Sequence, residues 1–401
     1  MNSSTAARNI KFQSNSGFPA GRQSSAIKLV GDSLKEPLVR AVIVTVLCVT
    51  VGIAGLLAQA RTGTLSIYYI DTEGGQSTLF VGPAGESLLV DTGNAGERDL
   101  GRIVETLNTA GVRQIDHLWT THYHGDHIGA LLALARQVPI ARFYDHGKPH
   151  PNDRIVAAAF LSAYDELTQG KRTIVKPGDT VRMTGVDITT VASANQYIRT
   201  NLPGGGSQNA SCEGVRQKDE SAYIDPDNGE SAGFVLTYGQ FRTIDLGDLT
   251  WNGELDLMCP TNRIGTVSVY LTSHHGLERS GSPALVHALR PRVAVMNNGT
   301  RKGGAADAFR VLHETPGLED LWQLHWSHNA GLDNAPAMFV ANVDDNATVA
   351  NVLTTPPPAG RGGGPAPPHS PAHLVKVTAR QDGTFTVVNT RNGFSKTYRA
   401  K

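Results

Sequence analysis

Between Thr121 and Gly129 the chain reads Thr-His-Tyr-His-Gly-Asp-His-Ile-Gly, which sets three imidazoles and one carboxylate within the six positions from His122 to His127. Imidazole and carboxylate are the ligands that borderline divalent metals prefer, zinc first, with manganese or iron accommodated when oxygen ligands are added. In an extended segment alternate side chains share a face, so His122 and His124 can grip one ion. Gly125 then lets the chain turn, and Asp126 and His127 face a second. A two-ion site lowers the pKa of a bridging water, and the resulting hydroxide attacks a phosphoryl or acyl centre while the ions stabilise the developing oxyanion. No serine nucleophile is needed, and Ser280-Gly281-Ser282-Pro283 lacks the Gly-x-Ser-x-Gly elbow.

Two ions take about seven or eight protein ligands plus water, so the remainder must come from other segments. Asp248 follows a glycine at the end of an apolar run and is the expected bridging carboxylate. His274 and His275 are neighbours that point apart if extended. His274 is then the expected ligand, and His275, with Asp126, carries catalysis by orienting substrate or protonating a leaving group. His146, in Phe143-Tyr144-Asp145-His146-Gly147, is the expected third histidine of the first ion. Asp91 is placed to hold the outer nitrogen of a ligand histidine and fix its tautomer. The loop Asn297 to Gly304 is polar, glycine-rich and basic, and reads either as an anion-binding loop or as a solvated turn.

These residues need rigid elements behind them. Ile115 to Thr120 reads as a buried strand ending at the ligands, and Ile128 to Gln137 as a helix leaving them, so the cluster lies on a strand-to-helix loop. Upstream, Leu65 to Ile70, Thr78 to Val81 and Ser87 to Val90 read as strands. Leu100, Ile103, Val104 and Leu107 recur at helical spacing before Gly111. Downstream, Phe234 to Tyr238 and Gln240 to Leu246 form a hairpin, Val267 to Thr272 a buried strand, Pro283 to Leu289 a helix, Val293 to Met296 a strand and Ala305 to His313 a helix. A further hairpin turns at Asp382-Gly383.

The pattern His122-x-His124-x-Asp126-His127 resembles the signature of the metallo-β-lactamase fold hydrolases. Ile70-Asp71-Thr72-Glu73-Gly74-Gly75-Gln76-Ser77-Thr78-Leu79 is similar to the opening segment of the ComEC-like competence-protein branch, although Asp71-Thr72-Glu73 stands where that branch has Asp-Val-Gly. Leu89-Val90-Asp91-Thr92-Gly93, Asp245-Leu246-Gly247-Asp248 and Ser273-His274-His275-Gly276 follow in the order of that branch's motifs, over roughly residues 64 to 345. The resemblance implies an α+β fold, a four-layer αββα sandwich, with two divalent metal ions at one edge. It also implies a hydrolase for a phosphoester or small ester. A β-lactamase and a noncatalytic metal-stabilised binding module are the alternatives.

With 36 basic and 36 acidic residues the formal net charge is zero, which offers nucleic acid no bulk attraction. Residues 1–40 read as a disordered leader, rich in Ser, Asn and Gly. The uncharged run 41–60 ends in Ala58-Gln59-Ala60 and reads as a signal peptide or, if uncleaved, as a membrane anchor. Either places the domain at 61–401 outside the cytoplasm, periplasmic or secreted, with the membrane touched only through 41–60. After cleavage Cys212 and Cys259 remain, as a disulfide or as two free thiols. The stretch 354–371, with Pro356-Pro357-Pro358 and Gly362-Gly363-Gly364, reads as a flexible insertion.

Overall fold

Side chains alternate between the two faces of a strand, and here both faces are buried. On the strand Val293–Met296, Val293 and Val295 join one hydrophobic core while Ala294 and Met296 join another. On Ser87–Val90, Leu88 and Val90 enter the first of these cores, and Leu89 enters a third. Strands buried on both faces carry near-continuous apolar runs and need helices outside them, which gives four layers, helix, sheet, sheet, helix. The structure is a computed structural model describing residues 63–330, 333–343 and 372–401. The expected leader, the apolar run 41–60 and the insertion 354–371 lie outside the described residues. Among the described residues no helix is long and apolar enough to cross a membrane.

Among the described residues the first sheet has nine strands, in the spatial order Ser395–Arg399, Thr384–Asn389, Val375–Ala379, Leu65–Tyr69, Thr78–Val81, Ser87–Val90, Ile115–Trp119, Ile140–Asp145 and Arg172–Ile174. The second runs Val340–Asn342, Asp320–His325, Val293–Met296, Val269–Leu271, Phe241–Asp245, Gly233–Tyr238, Val186–Ser193 and Thr180–Met183, with Gln196–Tyr197 pairing beside Val186–Ser193. Trp119 and Phe234 meet between the sheets edge to face, 5.0 Å between ring centres. The Trp119 indole donates to the Ala232 carbonyl at 2.7 Å, so its polar end is satisfied. Full burial of a side chain such as Phe234 contributes about 1.5–3 kcal/mol.

From Ser87–Val90 to Arg172–Ile174 the first sheet is parallel, as is the second from Phe241–Asp245 to Val340–Asn342. Parallel strands deliver their carboxyl ends to one edge. The segments after residues 90, 119 and 145 therefore gather at one side of the first sheet, and those after 245, 271 and 296 at one side of the second.

Two expectations needed correction. The helix expected over Ile128 to Gln137 is broken into Gly125–Ile128 and Leu131–Gln137, and His127 sits in the short first turn. The terminal hairpin is a three-strand meander, because Ser395–Arg399 pairs along Thr384–Asn389. Cys212 and Cys259 form a disulfide. Asn209, three residues before Cys212, donates to the carbonyls of Met258 and Ala284 at 3.1 and 2.8 Å, so this loop is tied down twice.

Candidate metal centre

Ile115–Trp119 carries the chain to Thr120 and Thr121, and His122 follows, fully buried. His122 Nε2 and His124 Nδ1 stand 3.0 Å apart and turn to one point. The outer nitrogen of His124, Nε2, lies 3.0 Å from Asp153 Oδ2, which keeps Nδ1 facing inward. His127 is held the opposite way round. Its Nδ1 lies 2.8 Å from Asp91 Oδ2, and Asp91 in turn accepts from the Thr121 amide at 2.8 Å and the Thr121 hydroxyl at 2.7 Å. Asp91 thus sits where the sequence placed it, behind a candidate ligand histidine, leaving His127 Nε2 to point inward.

The second sheet supplies Asp248. Its Oδ2 is 3.3 Å from His127 Nε2, 3.4 Å from both His274 Nε2 and His275 Nε2, and 3.9 Å from His122 Nε2. Asp126 Oδ2 completes the group, 3.5 Å from His127 Nε2 and 3.4 Å from His275 Nε2. One ligand atom from each of Asp126, His127, Asp248 and His275 lies within 4.8 Å of the others. Four ligands around a tetrahedral zinc at about 2.0–2.1 Å stand roughly 3.3–3.4 Å apart, so the spacing fits a metal. The chemistry of the donors fits as well. His127 Nε2, His275 Nε2 and Asp248 Oδ1 are buried with no hydrogen-bond partner, an arrangement costly to a fold unless something binds them.

Charge points the same way. Burial alone would raise the Asp126 carboxyl, but the Lys302 ammonium and His127 outweigh it and hold it well below the ordinary carboxylate range. Burial works against ionising Asp248 too, and His275, His127 and His274 overcome it to the same effect. Burial depresses His127, yet Asp248, Asp126 and Asp91 outweigh it and lift this imidazole well above its usual value. Burial takes His274 down to about 4, and burial beside His127 and His124 puts His122 well below its ordinary value. The two carboxylates and the imidazoles around them thus govern one another's protonation in one buried pocket, and a divalent ion bound there would compete with protons for the same atoms.

The pair at 274 and 275 departs from expectation. Both residues have left-handed backbones, φ 52° and 57°, a conformation costing about 1–3 kcal/mol per residue. This curl replaces the assumed extended segment, so the two imidazoles do not diverge but face the same Asp248 oxygen. His275, expected to act on substrate, is the one grouped with Asp126, His127 and Asp248.

His146 is not brought to this cluster. It is buried against Tyr123, with Nε2 3.5 Å from Asp227 Oδ2 and Nδ1 4.0 Å from Glu230 Oε2. Asp227 also accepts from the amides of Tyr123 at 2.9 Å and His150 at 2.6 Å. The strand before His146 ends at the correct edge, but its next residue turns toward this carboxylate. Asp71 and Glu73 bind Arg102 at 2.8 and 3.2 Å, and Asp71 lies 2.6 Å from His325, so the segment that departs from the branch's Asp-Val-Gly forms an ion-pair network of its own.

Sequence reasoning missed Asp153 and Asp227, and took Lys302 only as one member of the Asn297 to Gly304 loop, without its contact to Asp126. Only Lys302 lay in a segment with a visible signal, the basic glycine-rich loop. Its Nζ makes a short contact with Asp126 Oδ2.

Residues 71–188 match the family model described as the metallo-beta-lactamase superfamily, and the group Asp126, His127, Asp248 and His275 is one that could hold a metal ion. The chain is similar to competence protein ComA of Neisseria gonorrhoeae, 26% identical over 248 residues, covering 62% of this chain and 28% of that protein. It is also similar to the atrochrysone carboxyl ACP thioesterase dmxR1 of Cryptosporiopsis sp. (strain 8999), 36% identical over 74 residues, 18% of this chain and 23% of that protein. The chain thus spans about a quarter of the length of these curated relatives. Among solved structures, the metallo-beta-lactamase fold protein YhfI from Bacillus subtilis aligns at TM-score 0.39 and 12% identity, over 64% of this chain and 95% of that one.

Proposed function

We propose that this chain is a hydrolase with a two-ion centre, acting on a phosphoester or another small ester outside the cytoplasm. The observation that carries the reading is the convergence of Asp126, His127, Asp248 and His275, two carboxylates and two imidazoles from both sheets, within 4.8 Å. Asp126, His127 and His275 would hold one ion and His122 and His124 the other, with Asp248 between them. His274, whose Nε2 faces the same Asp248 oxygen at 3.4 Å, takes the place expected of His146. When bound, divalent ions, zinc first and manganese or iron next, supply an activated water and offset the charge developing on the substrate. The protein orients the ligands. Asp91 and Asp153 each hold the outward nitrogen of one imidazole, and the buried walls keep bulk water from the donors. The Cys212–Cys259 disulfide supports an oxidising compartment.

The test uses the full chain. Elemental analysis should find up to two divalent ions per chain. Hydrolysis of bis(p-nitrophenyl) phosphate should be abolished by a chelator, by Asp248→Asn and by His275→Ala. A chain that stays metal-free when supplied with zinc, manganese and iron overturns the reading. Hydrolysis of a chromogenic cephalosporin alone overturns the substrate class, and bound metal without turnover marks a noncatalytic module.

A further inference from the structure

The loop that leaves Val293–Met296 is built against the metal centre. The Gly299 amide donates to the Lys302 carbonyl at 2.8 Å, closing a tight turn. The Gly304 amide donates to the His275 carbonyl at 3.0 Å, and the Ala305 amide to the Gly276 carbonyl at 2.8 Å. Contact is close enough to require glycine. Gly303 has φ 74°, and a Cβ there would stand 2.1 Å from the His275 carbonyl oxygen. On the opposite side Gly74, at φ 86°, leaves the space in which the Lys302 stem lies, since a Cβ there would come within 2.9 Å of Lys302 Cβ. The Asn297 amide bridges to Gln76 Oε1 at 3.3 Å, and the Gln76 backbone amide donates to the Asp126 carbonyl at 3.1 Å. Loop, opening segment and ligand turn are thereby one rigid unit.

From this unit the Lys302 ammonium reaches Asp126 Oδ2 while its side chain stays 36% exposed. One flank of the cation faces a ligand carboxylate and the other faces solvent. A divalent ion held at Asp126 would compete for that carboxylate's charge and repel the ammonium, which would leave the lysine available to a different anion at the rim. Lysine suits this as a compact point charge on a flexible stem.

We propose that Lys302 is the anion-recognition residue of this centre, binding an anionic phosphoryl oxygen of the substrate at the solvent-facing rim beside Asp126. This rests on the hydrolase reading and selects within it, favouring phosphodiester and phosphomonoester anions over neutral esters. A contact between ionised partners of this kind is worth roughly tenfold to hundredfold in affinity.

The test is calorimetric titration of inorganic phosphate into the metal-loaded full chain at low salt, for the wild type, Lys302→Met and Lys302→Arg, with metal content measured on each. The expected result is roughly tenfold to hundredfold weaker phosphate binding in Lys302→Met, restoration by Lys302→Arg, and the same metal content in all three. Equal phosphate affinity in Lys302→Met overturns the proposal. Loss of metal in that variant also overturns it, since the lysine would then be a structural partner of Asp126. Lysine-dependent phosphate binding without turnover leaves this proposal standing and the hydrolase reading refuted. Turnover with lysine-independent phosphate binding does the reverse.

Discussion

Asp91→Asn isolates the part that tautomer control plays in metal binding. Asp91 has φ 57°, a region that asparagine tolerates, so the backbone keeps its shape. Asp91 Oδ1 accepts from the Thr121 amide at 2.8 Å, and Oδ2 faces His127 Nδ1 at 2.8 Å. An asparagine amide has one acceptor end. If its oxygen serves Thr121, its NH2 meets His127 Nδ1, which must then give up its proton and move it to Nε2, the nitrogen that should bind metal. If the amide flips, two donors face each other at Thr121. Removing an outer partner of this kind costs about 10- to 100-fold in metal affinity, which is about 1.4–2.7 kcal/mol. A competition titration of metal-free protein against a chelator of known affinity should therefore show one weakened ion, the one at His127, and a second ion less affected beside His122 and His124. Asp91→Asn protein that binds both ions within about threefold of wild type would refute the argument that Asp91 sets the His127 tautomer.

Peptide mapping without reductant should recover Cys212 joined to Cys259, and reduction should lower the melting temperature. A loop closed across 47 positions sets an upper bound of about 4 kcal/mol on that loss; alkylation of both thiols in denatured, unreduced protein would contradict it. Glu254 gives a pH signature. Burial pushes its carboxyl up to about 7, against the pull of the Ser282 and Gly281 amides. The acid is thus favoured neutral, so its contribution is fully present below about pH 4.5 and is lost as pH rises through 7, at most about 3 kcal/mol. Wild type should lose melting temperature relative to Glu254→Gln between pH 5 and 8; parallel profiles would count against it.

What the sequence disclosed was set by short-range pattern. Ser87–Val90, Pro283–Leu289 and Val293–Met296 begin and end where apolar runs meet turn residues. His122, His124, Asp126 and His127 stand together because one turn holds them. Three things escaped. Ser395–Arg399 is largely exposed and carries little apolar alternation, so its pairing with Thr384–Asn389 left no periodic trace. The backbone at His274 and His275 is left-handed rather than extended as expected; histidine tolerates either, so residue type alone does not decide it. Lys302 meets Asp126 across 176 positions of chain, a contact that no local spacing encodes. His146 misled because its strand does end at the ligand edge, while the carboxylate that claims its neighbourhood, Asp227, lies far downstream.

The closure of the first sheet bears on how the chain is made. Leu65–Tyr69, the first described strand, is zipped along its full length to Val375–Ala379, pairing Leu65 with Ala379 and Tyr69 with Val375. A nascent polypeptide emerging from the ribosome must therefore keep that flank bare until the final meander has been synthesised. Such distant pairing is slow and leaves unpaired ribbon exposed to neighbours in the meantime. Truncation before residue 372 would make that waiting state permanent.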